Sequence, residues 1–260
     1  MSPFAEQYGP WAVVAGASVG LGAAYAEALA ARGLNLVLIA RRPAELETLA
    51  VSVRMRFKVE VKTLSLDLAA PEAPGRILEF TADLQLGLLV FNAAFSPLGA
   101  FVEVPVASAL KAVDLNAHAL VELTHGIASR LVSQKRGGIV LLSSLTASAG
   151  SPFLATYGAT KAFTATFADA LWVELKPHNI DVLAVLAGAT RTPGFEKASP
   201  DGAPGLLEPT VVAEQSLVAI KKGPRFIPGA FNRFASAFMS LLPARSRLGL
   251  MADQTKKLKS

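Results

Sequence analysis

The chain of 260 residues contains no cysteine. A disulfide scaffold, a thiolate zinc site and a cysteine nucleophile are all excluded. The usage fits a reducing compartment, so the expected location is cytoplasmic. Charge is scarce too, at 17% of residues against about 25% in an average soluble domain. With 52% hydrophobic residues the chain can bury a large core, and global disorder is excluded. Long apolar runs are also missing. The uncharged windows 7–26, 84–102 and 137–160 are each interrupted by Gly, Pro, Asn or Ser. None is the continuous run of roughly twenty apolar residues that a membrane span needs. The first window fails as a secretory signal as well, since the residues before it offer Glu6 and no Lys or Arg. The expectation is a soluble protein with no transmembrane segment.

Basic residues are concentrated in one place. Residues 1–220 hold 16 Lys/Arg and 19 Asp/Glu, whereas residues 221–260 hold nine basic residues and only Asp253. A nucleic-acid binder would spread its basic residues along a face with aromatics between them, so no nucleic-acid partner is expected. The tail reads as solvated, or in weak peripheral contact with an anionic membrane surface or a neighbouring subunit.

What is present is alternation. Short runs rich in Val, Leu and Ile at 11–15, 34–40, 59–66, 86–91, 138–143 and 180–186 read as strands buried on both faces. Helical stretches near 20–32, 43–55, 71–82, 106–135 and 154–177 separate them. The predicted fold is α/β, a single doubly wound Rossmann domain over 1–260, with a parallel sheet of about seven strands and helices on both faces. Residues 187–209 are dense in Gly, Pro and Ala and read as an irregular segment. A helix over 210–222 follows, so 187–222 forms a substrate lid region. Arg225–Ile227 would add a short strand. Residues 229–260 form a basic C-terminal helix and tail. Its stripe of Phe231, Phe234, Phe238, Leu241 and Leu242 before Pro243 is expected to pack on the body or a partner subunit.

The first strand runs into Gly16-Ala17-Ser18-Val19-Gly20-Leu21-Gly22, and a helix follows. Glycines there permit a tight turn and close approach to a phosphate, while the helix N-terminus offers free N–H groups. The second strand ends Ala40-Arg41-Arg42, without the acid that would bind the 2′-hydroxyl of NAD. An arginine fork suits a 2′-phosphate, so NADP(H) is preferred and NAD(H) is the alternative. Asp67 closes the third strand, placed for adenine or for a helix cap. The same loop also spells the G-x-S-x-G elbow of serine hydrolases, with His118, His125 and His178 available. However, only one strand precedes it, and no His-Gly-Gly-type oxyanion segment lies upstream.

Tyr157 and Lys161 lie four apart at the start of a predicted helix and share one face. A nearby ammonium would favour the tyrosinate and pull its pKa down from about 10. Ser144 ends the fifth strand at the edge where open α/β sheets bind ligands. The glycine loop, Asp67, Asn92, Asn116, Ser144, Tyr157, Lys161 and Thr192 together resemble the short-chain dehydrogenase/reductase family in order and spacing, over roughly residues 10–195.

That resemblance implies an oxidoreductase acting on CH-OH groups with NAD(P). Tyr157 would be the acid/base, Ser144 would hold the carbonyl oxygen, and Lys161 would bind the nicotinamide ribose. Asn116 would hold a water leading to Lys161. Cofactor contacts would come from Gly16, Ser18, Val19, Gly20, Leu21, Gly22, Arg41, Arg42, Asp67, Leu68, Asn92, Ala93, Tyr157, Lys161, Gly188, Thr190 and Thr192. No metal is implied. The pattern departs at Ala15, Phe91, Ala94 and Ala187, where the family usually has Thr, Asn, Gly and Pro. It departs also at Val19, where many NADP-preferring members carry a basic residue. Ser144, Phe95, Leu145, Phe153, Leu154 and Phe195, with Leu206 and Leu207, lie in segments expected around the substrate. Their apolar character suits a hydrophobic ketone or secondary alcohol (steroid, acyl or aromatic). The helices at 106–135 and 154–177 would pair across a two-fold axis to give a homodimer or homotetramer. A non-catalytic dinucleotide-binding sensor is the rival of a different class; it would have no use for Ser144, Tyr157 and Lys161 together.

Overall fold

Val-, Leu- and Ile-rich runs bounded by turns favour extended backbone, and here they do so in a single sheet. The computed structural model describes residues 2–199 and 202–256. Its strands are β1 (Trp11–Ala15), β2 (Asn35–Ala40), β3 (Val61–Ser65), β4 (Leu86–Phe91), β5 (Gly137–Ser144), β6 (Ile180–Ala187) and β7 (Arg225–Phe226). Their order is β3-β2-β1-β4-β5-β6-β7, and every pairing is parallel. The helices are α1 (Pro3–Tyr8), α2 (Gly20–Ala30), α3 (Pro43–Phe57), α4 (Ala73–Phe80), α5 (Val106–Val113), α6 (Ala119–Gln134), α7 (Ala155–Leu175), α8 (Pro193–Ala198), α9 (Pro209–Ala219), α10 (Ala230–Leu241) and α11 (Ala244–Lys256).

The strand period of two sends alternate side chains to opposite faces. Ala12, Val14, Leu36, Leu38, Val140 and Leu183 pack on one side with Tyr25 and Leu29 of α2 and Val212 of α9. Val13, Ala15, Val37, Ile39, Leu141 and Val182 pack on the other with Ile77 of α4 and Leu123 and Ile127 of α6. A fully buried side chain of this kind contributes about 1.5–3 kcal/mol, against about 0–1 for an exposed ion pair. The two cores, not surface pairs such as Lys62–Asp83, hold the sheet edge in place. The direction in which successive strands are added reverses between β1 and β4, the usual ligand crevice of an open α/β sheet.

Several expectations need correction. The helix expected over 106–135 is interrupted: a π-helical turn, Asp114–His118, separates α5 from α6. The segment at 187–209 is not wholly irregular, because Thr192 accepts from the Phe195 N–H at 3.2 Å and so caps α8. α1 was not expected, nor was a second C-terminal helix, α11. Tyr8 anchors α1 by donating to Asp181 Oδ2 at 2.6 Å. The aromatic stripe of α10 does not pack on the body: Phe231, Phe234, Phe238 and Leu241 are 56, 72, 54 and 83% exposed. The lid and tail assignments include residues 200, 201 and 257–260, which lie outside the described residues. Among the described residues no helix is long and apolar enough to cross a membrane.

Candidate active site

The parallel sheet collects the candidate residues at the carboxyl ends of β1, β2, β4, β5 and β6. After β1 the backbone turns at Gly16 (φ +85°), where a Cβ would stand 2.7 Å from the Ala93 main chain. A Cβ on Gly22 would collide with the Gly16 carbonyl, which accepts from Asn92 Nδ2 at 2.8 Å. The loop is thus closed on itself and locked to the end of β4. Val19, at the N-cap of α2, supplies no side-chain hydrogen bond, so the first N–H groups of α2 have no side-chain cap. Leu21 packs on the core. A tight glycine turn feeding such a helix start fits a pyrophosphate.

Arg41 and Arg42 are exposed at the end of β2. Arg42 donates to Ser18 Oγ at 3.3 Å and pairs with Glu45 at 3.2 Å, which brings the arginine pair beside the glycine loop. No acid stands at Ala40, so the donor set fits a dinucleotide carrying a 2′-phosphate. Asp67 does not cap a regular helix. It accepts from the Ala69 N–H at 3.1 Å and from Lys111 Nζ at 3.0 Å. Partial burial alone would raise its pKa, but these donors hold it below the usual carboxylate value. The Leu68 side chain is buried in the core, leaving only its main chain to face a ligand.

Ser144 ends β5 and accepts from the Thr146 N–H at 3.2 Å. Tyr157 and Lys161 occupy successive turns of α7, with Lys161 Nζ 5.6 Å from the centre of the Tyr157 ring. α7 is tied down twice: Ser143 donates to the Lys161 carbonyl at 2.7 Å, and Lys161 Nζ donates to the Leu142 carbonyl at 2.6 Å. Lys161 is only 4% exposed, and desolvation lowers its pKa to about 8. Tyr157 is raised above its ordinary value by burial, and the Ser144 hydroxyl partly opposes that. The expected lowering of Tyr157 by Lys161 is absent here, because the ammonium is turned to Leu142 and its own charge is disfavoured by burial.

Asn116 sits in the π-helical turn and is buried. Its Oδ1 accepts from Phe95 N at 2.8 Å, and its Nδ2 donates to Phe95 O at 2.8 Å and to Thr160 Oγ1 at 3.1 Å. Thr160 in turn donates to the Tyr157 carbonyl at 2.8 Å. The amide therefore fastens the loop after β4 to the second turn of α7. At the end of β6, Thr190 donates to the Gly188 carbonyl at 3.1 Å. Thr192 reaches the glycine loop, since a Cβ on Gly20 would stand 2.8 Å from its Cγ2.

Ser143, Thr160 and Asn232 escaped the sequence reading. The first two sit one position before Ser144 and Lys161, where polar residues in a strand end and a helix turn carry little signal. Asn232 is buried on α10 and donates to the Gly205 carbonyl at 3.1 Å. A Cβ on Gly188 would stand 2.8 Å from its Nδ2, and one on Gly205 would collide with its Oδ1. It joins β6, the lid and α10, and its one signal was a polar residue opposite the Phe stripe.

Among the apolar residues expected around the substrate, Leu154 is buried, and Phe95, Leu145 and Leu207 pack on the cores. Phe153 (φ +65°) and Phe195 are half-buried. Ser18 lies beside Arg42, while His178 precedes β6 at the opposite edge of the sheet. His125 is exposed within α6, and the elbow reading gains no support. No group of three His, Cys, Asp or Glu able to hold a metal occurs among the described residues.

Residues 10–202 match the family model for short chain dehydrogenase. The chain belongs to the short chain dehydrogenase family. A 7beta-hydroxysteroid dehydrogenase of Clostridium sardiniense is 30% identical over 233 residues, covering 88% of this chain and 89% of that protein. A solved short-chain dehydrogenase from Sphingobium yanoikuyae, in complex with NADPH, is 32% identical with a TM-score of 0.79, covering 93% of this chain and 95% of that one. The bulky-bulky ketone specific alcohol dehydrogenase from Comamonas testosteroni is 30% identical with a TM-score of 0.79, covering 94% of each chain. This short chain dehydrogenase is thus an oxidoreductase of the carbonyl/alcohol class.

Proposed function

We propose that the chain interconverts a bulky hydrophobic ketone and its secondary alcohol with NADP(H). The observation that carries the reading is the placement of Tyr157 and Lys161 on successive turns of α7, beside the end of β5 that bears Ser144. The exposed Arg41–Arg42 pair and the NADPH bound by the Sphingobium relative support the cofactor choice. The steroid and bulky-ketone relatives support the substrate class.

NADPH, when bound, supplies the hydride that reduces the carbonyl carbon. Ser144 donates a hydrogen bond to the carbonyl oxygen and fixes its position. Tyr157 gives that oxygen its phenolic proton. Its raised pKa keeps the phenol protonated at neutral pH, which suits donation in the reductive direction. With a pKa of about 8, Lys161 is mostly charged at neutral pH and is placed to bind the nicotinamide ribose of the cofactor. The Asn116 side chain is committed to Phe95 and Thr160, so a water leading to Lys161 would be held by the main chain of the π-helical turn. Exposed Val106, Leu110 and Val113 on α5 and Phe163 on α7 support pairing of two copies; a monomer by light scattering would contradict that part.

The test is reduction of a steroidal or aryl ketone, followed as loss of NADPH absorbance. NADPH should outperform NADH, and Arg41→Ala should narrow the gap by roughly tenfold, as loss of a charge-assisted phosphate contact implies. Equal rates with both cofactors in the parent protein would overturn the assignment to NADP(H).

A further inference from the structure

A surface helix normally turns its apolar stripe to the core, and α10 does the reverse. Asn232, Ala235, Ser236 and Met239 are its buried or half-buried positions. Phe231, Phe234, Phe238 and Leu241, spaced three and four apart, form one outward stripe. Arg233 lies exposed at its margin, and α11 adds exposed Leu248, Leu250 and Arg245. Across 230–256 the basic residues are Arg233, Arg245, Arg247 and Lys256, and Asp253 is the one acid.

An apolar stripe with a cationic margin matches an anionic lipid surface in both respects. A two-fold contact between copies would instead set the same margin against itself and oppose like charges. We propose that α10 docks the protein on an anionic bilayer, lying in the interfacial plane with Phe234, Phe238 and Leu241 at the acyl boundary. α10 also packs on the turn Leu145–Ser148 that follows Ser144, so docking sets the mouth of the site against lipid. The docking stands on this surface and does not depend on the substrate reading.

The experiment is flotation of the full-length protein with vesicles of phosphatidylcholine alone, or of phosphatidylcholine mixed with an equal amount of phosphatidylglycerol. The protein should float with the mixed vesicles and far less with the neutral ones. Raising salt to about 1 M, where the Debye length is about 3 Å, should weaken the association. Phe234→Ser combined with Phe238→Ser should cut partitioning at least about tenfold while ketone turnover without vesicles is unchanged. Arg233→Glu combined with Arg245→Glu should abolish the preference for phosphatidylglycerol, and serves if the serine variant does not fold. Protein that stays in solution with mixed vesicles, or floats equally after either double substitution, overturns the proposal. So does a serine variant whose mass in lipid-free solution drops from dimer to monomer, which would make the stripe a contact between copies.

Discussion

The glycine loop and the C-terminal α10 meet the ligand crevice from opposite ends of the chain and are built on different terms. The loop is local: the seven residues 16–22, from the end of β1 into the first turn of α2, close on themselves and are pinned by Asn92 at the end of the neighbouring strand. α10 is held by remote partners. Asn232 reaches the lid at Gly205 and abuts Gly188 after β6, and Gln215 of α9 accepts from the Gly229 N–H at 2.9 Å. A region of the first kind tolerates little and is read from a short motif. A region of the second kind is adjustable, and its role depends on what it covers.

The largest effect should come from breaking the local region. In Gly22→Val the Cβ meets the Gly16 carbonyl oxygen, a main-chain atom with nowhere to retreat. NADPH affinity, followed by fluorescence titration, should fall by at least about a hundredfold, by analogy with the cost of small misplacements at a site. Near-normal affinity would show that the loop can reopen.

Asn232→Ala probes the other region. It leaves the half-buried Gly205 carbonyl without its donor, at a cost of about 0.5–1.5 kcal/mol in unfolding free energy. If Asn232 also positions the lid, KM for the ketone should rise more than kcat falls. Equal changes in both, or none, would reduce it to a packing residue.

The smallest effect concerns Lys161, through the pH dependence of stability. Its native pKa of about 8 lies below the ordinary value of 10.5, so between these values the unfolded chain holds a proton that the native chain has lost. Stability from this group therefore rises with pH across that window and is lowest below about 8, where the buried ammonium is charged in both states. Lys161→Met removes the slope. The difference in unfolding free energy between parent and variant should change across pH 8–10.5 and stay flat below it. A difference independent of pH would contradict the buried setting of Lys161.

The same contrast explains what was legible in the sequence. The sheet follows from periodicity, because each strand is set by residues near it in the chain, whereas the glycine loop with Ser144, Tyr157 and Lys161 was legible only jointly, through the order and spacing that resemble the family. The π-helical turn at Asp114–His118 was not legible: nothing in its residues marks a break between α5 and α6, and the pairing of the Asn116 amide with Phe95 that it supports is remote in the chain. That the α10 stripe faces away from the body was not legible for a related reason. Periodicity reveals that a helix is amphipathic without saying which side the body takes, and here Asn232 decides it. The pairing of Asp67 with Lys111, 44 residues away in the chain, could not be read from the local sequence either. The shift of Tyr157 was expected downward from its spacing to Lys161, and the Leu142 carbonyl that turns the ammonium aside cannot be read from that spacing.

In the proposed reaction Tyr157 passes the proton while the rest of the site binds and orients. The most direct test is Tyr157→Phe, with ketone turnover and NADPH binding measured on the same preparation. kcat should fall by at least about 10²- to 10⁴-fold, the usual worth of positioned acid–base catalysis, while the dissociation constant for NADPH stays within a few-fold of the parent value. Retained turnover would contradict the claim outright, whatever the binding shows.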